Sequence, residues 1–108
     1  MAWTLLIIAG LLEGVWALAL KQSDGFSRVA PTVVFAVAGL ASIALLAFAL
    51  RDLPVGTGYA VWTGIGAVGA ALAGIVLLGE PATLMRLAPV GLIATGIVWL
   101  ALAQQSAG

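Results

Sequence analysis

Four long apolar runs, separated only by short polar connections, dominate this chain of 108 residues. A helix needs about 20 residues to cross a hydrocarbon core of roughly 30 Å, and the runs at approximately 2–20, 30–50, 54–78 and 84–103 meet or approach that length. At 64% hydrophobic and 7% charged residues, the chain carries more apolar surface than a soluble domain of its size can hide. The expected fold class is an all-α membrane protein, with residues 1–108 forming a single four-helix transmembrane domain. The first run opens on uncharged Met1-Ala-Trp-Thr4 and contains Glu13, unlike a cleavable signal peptide, so it is expected to be retained.

Local chemistry marks the ends of the spans. Lys21 can snorkel its charge to the interface, and Pro31 suits the first turn of the second span. Asp52 is expected to cap the third helix just ahead of Pro54, and Gly79 to close it in a left-handed conformation. The fourth span is expected to be the shortest, with Pro89 near its start and Gln104–Gly108 as a frayed polar tail. An even number of spans returns Trp3 and Trp99 to one membrane face, where both suit an aromatic belt. Lys21, Arg28 and Arg86 oppose Arg51 and the terminal amine, a bias small enough to permit insertion either way and therefore an antiparallel pair built from one sequence.

Glu13 is the one charged residue stranded inside an apolar run, Ala9-Gly-Leu-Leu-Glu13 leading on to Leu20. An acidic side chain at the centre of a membrane helix costs roughly 2.5–3.5 kcal/mol on insertion scales, so it marks an ion pathway, a proton pathway or a cationic ligand. With no cysteine and no histidine, the chain lacks thiolate chemistry, the commonest metal ligand and the usual proton shuttle. No nucleophile–base pair or phosphate-binding glycine loop is visible, so no enzyme, metal, cofactor or nucleic-acid partner is expected.

Helical spacing gives Glu13 its companions. Gly10, Trp16 and Ala17 share its face, and Trp16 can offer an indole N–H to the carboxylate or its ring to a cation. In the third span Tyr59 and Trp62 repeat the spacing of three, and their polar tips are expected to reach Glu13. Ser42 of the second span either donates to the same carboxylate or bonds its own helix at i−4. Gly64-Ile-Gly66 reads equally as a hinge or as close packing against another helix. Four helices packed together fill their own interior, so a pathway implies more than one copy. Gly91, Ala94, Thr95 and Gly96 of the fourth span are assigned to that dimer contact; the alternative is packing within one subunit.

The sequence resembles the small multidrug resistance family, most closely its guanidinium exporter branch. The resemblance rests on Ala9-Gly-Leu-Leu-Glu13, Val15-Trp-Ala17, Lys21, Gly25-Phe-Ser-Arg28, Leu53-Pro-Val-Gly-Thr57, Tyr59-Ala-Val-Trp-Thr-Gly-Ile-Gly-Ala-Val-Gly69 and Gly79-Glu80. It implies a multi-pass protein of the bacterial inner membrane, working as an antiparallel homodimer of four-helix subunits. It also implies export of guanidinium in exchange for protons, with Glu13 binding both and Trp16, Ser42, Tyr59 and Trp62 lining the site. Gly14, Gln22, Gly58 and Pro89 depart from the family pattern, and Gly14 and Gly58 leave room to widen the pocket. Two rival readings are export of quaternary ammonium or other hydrophobic cations, and a structural helix bundle in which Glu13 pairs with another subunit.

Overall fold

The computed structural model describes residues 1–107, with side chains through Gln104, and Gly108 of the polar tail lies outside it. Four helices follow one another: α1 Ala2–Gln22, α2 Val29–Ala49, α3 Val55–Leu78 and α4 Leu84–Ala107. All four are long and apolar enough to cross a membrane. The fourth is not the shortest, because the helix continues past residue 103 to Ala107 through the polar residues of the tail. Asp52 caps nothing: Pro54 is the N-cap of α3, in extended backbone with no side-chain bond. Gly79 does close α3 in the left-handed region, at φ 69°, which a residue without Cβ adopts freely.

The helices do not close into a filled bundle. α1 packs along both α2 and α3, α2 barely meets α3, and α4 lies against α3 alone. The result is a slab of 45 × 34 × 16 Å, thin in one direction, with both broad faces open. The expectation of a closed four-helix interior is therefore overturned, and the reason lies in the small residues of the α1–α3 crossing. A Cβ on Gly10 would run into Ile65, and one on Gly14 would rest on the backbone of Gly66, Gly69 and Ala70, so these helices meet almost backbone to backbone. Such closeness leaves no interior for a fourth helix to fill.

Buried side chains gather toward one end of the slab. Leu6, Ala9, Leu46, Ala49, Val61 and Trp62 form the core there, and Leu50, Leu53, Ile97 and Leu100 pack against it. Thr57 Oγ1 donates to Gln104 Oε1 at 3.0 Å, tying the start of α3 to the end of α4. At the opposite end the α1–α2 loop is a built turn. Ser23, fully buried, donates its hydroxyl to Leu20 O at 2.7 Å and accepts from Phe26 N at 3.1 Å. Asp24, Gly25 and Phe26 follow in the left-handed region at φ 49°, 69° and 68°. Arg86 and Glu80, 2.8 Å apart, pair across the α3–α4 connection at the same end.

Candidate functional site

Glu13 projects from the middle of α1 onto α3, where its carboxyl group lies directly over Gly66. A Cβ at position 66 would overlap the carboxylate, so the glycine is the floor of the niche. Oε1 is buried, and no donor among the described residues reaches it. One turn further on, Trp16 is half-buried with its indole N–H equally buried and equally without an acceptor. Its ring lies beside Gly39 of α2 and meets Phe35 edge-on, 5.7 Å between centroids and 75° between planes. Phe26 of the first loop packs on the far side of Phe35 at 5.6 Å, so a row of aromatic rings runs from that loop to Trp16.

The other predicted companions are held elsewhere. Ser42 Oγ, fully buried, donates to Ala9 O of α1 at 2.6 Å and accepts from Trp62 Nε1 at 2.9 Å. The expectation that Trp62 and Ser42 turn their polar atoms to Glu13 is thus corrected within one subunit. A main-chain carbonyl on α1 faces the Ser42 hydroxyl directly, and the hydroxyl, once donating, still has lone pairs to receive the indole N–H. Neither of the two Ser42 readings anticipated a bond to a neighbouring helix. Tyr59 is 55% exposed, its ring tilted at 58° over Trp62 with centroids 5.3 Å apart, one broad face open beside it.

Glycine placement separates packing from pocket. Gly10 is buried against Ile65 and seals the α1–α3 crossing one turn before Glu13. Gly64 lies against Ile93 and Ile97 of α4, inside an unbroken α3. Gly58 faces Leu50, and Gly14 faces the α3 backbone, so neither enlarges the space around Glu13. On α4, Gly91, Thr95 and Gly96 are exposed, with nothing within 4 Å of a Cβ placed on either glycine. Thr95 Oγ1 donates to Gly91 O of its own helix at 2.8 Å, and these three residues take no part in packing within the subunit.

Sequence reasoning missed Phe35 and Gly39 as neighbours of Trp16. Their signal is a stripe: Phe35, Gly39, Ser42 and Leu46 follow one another at four, three and four residues and share one face of α2. It also treated Gly66 only as a hinge or packing residue, because nothing local shows which side chain from another helix comes to rest on a glycine.

Comparison with known proteins places this geometry. Residues 1–93 match the family model described as Small Multidrug Resistance protein. The chain is 62% identical over 102 residues to a guanidinium exporter of Escherichia coli (strain K12), covering 94% of this chain and 97% of that one. It is 60% identical over 103 residues to a guanidinium exporter of Yersinia pestis, covering 95% and 99%. A third guanidinium exporter, from Citrobacter freundii, is 58% identical over 102 residues, covering 94% and 97%. With four membrane-spanning helices and a family match over most of its length, the chain belongs to the small multidrug resistance family, as a multi-pass protein of the bacterial inner membrane.

Proposed function

We propose that this protein exports guanidinium or small substituted guanidinium cations in exchange for protons, with Glu13 carrying each in turn. One observation carries the reading: a buried carboxylate oxygen, over a glycine floor and without a donor among the described residues, in a chain about 60% identical to guanidinium exporters. A guanidinium ion is planar and presents paired N–H donors that match a carboxylate fork. The indole N–H of Trp16, one turn along α1 and also without a partner among the described residues, is taken as a second orienting group.

Proton and cation compete for one carboxylate, so each leaves before the other binds. An uncompensated charge is costly to carry across an apolar barrier, so the protein changes its open side most readily when Glu13 is neutralised by one or the other. That competition is the exchange. Access to both membrane faces calls for a second copy, and the thin slab supports an antiparallel homodimer. Its open face brings two Glu13 residues together, and the exposed Gly91, Thr95 and Gly96 of α4 form the contact. Gly64 and Gly66 lie where α3 would bend between the two states. Both glutamates then titrate as a pair.

The test is equilibrium binding of guanidinium to the purified protein across pH, together with proton release on binding. In alkaline buffer the carboxylate is anionic and takes the cation. As pH falls the proton holds the site, and the apparent Kd is expected to rise by about tenfold per pH unit on the acid limb. Binding independent of pH, with no proton released, overturns the proposal. Proton release with tetraalkylammonium ions but not with guanidinium moves the protein to the other branch of the family.

A further inference from the structure

Two cavities that share Gln22 include neither Glu13 nor its floor Gly66 in their lining. The first, about 580 Å³, lies at the loop end of the slab and is lined by Lys21, Gln22, Asp24, Arg28, Leu78 and Glu80. The second, about 410 Å³, is more apolar and is lined by Val15, Leu18, Val34 and Leu77 among others. Gln22 lines both, and the neighbouring Leu77 and Leu78 lie one in each. At 100° per residue, Val15, Leu18 and Gln22 stand about 140° to 200° around α1 from Glu13. This surface therefore faces the bilayer when the Glu13 face meets a second copy.

We propose that these cavities form one phospholipid site, with an amine-bearing zwitterionic headgroup in the polar cavity and an acyl chain in the groove below it. Charge complementarity selects the headgroup. The only ion pair among the described residues is Arg86 with Glu80, which leaves Lys21 and Arg28 to meet a phosphodiester and Asp24 to meet an ammonium. A primary ammonium donates N–H bonds to that carboxylate; a quaternary one has none to give. The depth also agrees, because Lys21 is in the last turn of α1 and Leu78 is the last residue of α3, where a membrane helix meets the headgroup layer. The loop that presents Asp24 and Arg28 is preshaped by the buried Ser23 hydroxyl and by three consecutive left-handed residues, so little ordering is needed on binding. In an antiparallel dimer, one such site faces each leaflet.

Native mass spectrometry of the purified full-length protein, titrated with phosphatidylethanolamine, phosphatidylcholine and phosphatidylglycerol, tests this. Phosphatidylethanolamine is expected to bind roughly tenfold more tightly than phosphatidylcholine, since the polar group it pairs is otherwise left unmatched. Asp24→Asn tolerates the left-handed backbone and should erase that preference while keeping phosphate-driven binding. Arg28→Ala should weaken binding of phosphatidylethanolamine by about tenfold, with guanidinium binding retained as the measure of an intact fold. Should Arg28→Ala fail to fold, Lys21→Ala takes its place with the same expectation. Leu18→Trp, which fills the groove, should reduce lipid binding but not that of soluble glycerophosphoethanolamine. Equal binding of all three lipids, preference for phosphatidylglycerol, or displacement of the lipid by equimolar glycerophosphoethanolamine or inorganic phosphate overturns the proposal.

Discussion

Two buried polar groups on neighbouring turns of α1 meet opposite fates. At Ala9 the backbone carbonyl takes a hydrogen bond from Ser42, which takes another from Trp62, and every polar atom along that line has a partner. At Glu13 and Trp16, one turn along, a carboxylate oxygen and an indole N–H are both buried and neither finds a partner among the described residues. A membrane offers no water to rescue an unmet polar group, so the closed network stabilises the fold and the open pair is a standing cost. What the contrast teaches is where to look for function: in the pair whose bonds remain to be made by something else.

Replacing the open carboxylate should sharpen the contrast most. Glu13→Gln removes the charge at little change in volume, and guanidinium-driven proton exchange in liposomes is expected to fall by roughly a hundredfold or more while thermal stability holds or rises. A fall in stability equal to the loss of transport would instead assign Glu13 to the scaffold. Gly66→Ala comes next. Its methyl group would displace the carboxylate, and guanidinium affinity is expected to drop by about tenfold although alanine favours the α3 helix by roughly 1 kcal/mol.

Ser42→Ala acts on the closed network and should do the reverse. It leaves the Trp62 indole without its acceptor and removes a second bond from the Ala9 carbonyl, at a cost of about 1–2 kcal/mol in unfolding measurements, with the pH midpoint of guanidinium binding little moved. A large shift in that midpoint at unchanged stability would break the division between the two groups. The smallest effect is expected from Trp16→Phe. It deletes an N–H that bonds to nothing among the described residues, so stability should stay within about 0.5 kcal/mol while guanidinium affinity weakens severalfold.

The spans were legible because length and apolar composition leave one solution in a bilayer, and the helix bounds lie close to those expected. Their arrangement was not legible. Helices apolar on nearly every side have no polar face to orient them, so nothing in α4 announces that it touches α3 alone. At the candidate site, Glu13 stands out by its charge, whereas Trp16, expected beside it from helical spacing, has its ring against Gly39 and Phe35 of α2. The partners of Ser42 and Trp62 did not stand out, because a neighbouring helix's main-chain carbonyl looks the same at every position in a sequence. The contact of Glu13 with Gly66 was hidden for a related reason: a glycine records that room is needed, not who occupies it.

Because α4 is fastened only to α3, it stands off the other two helices like an outrigger. Its outward face is therefore free to change in sequence without disturbing the α1–α3 crossing on which Glu13 rests.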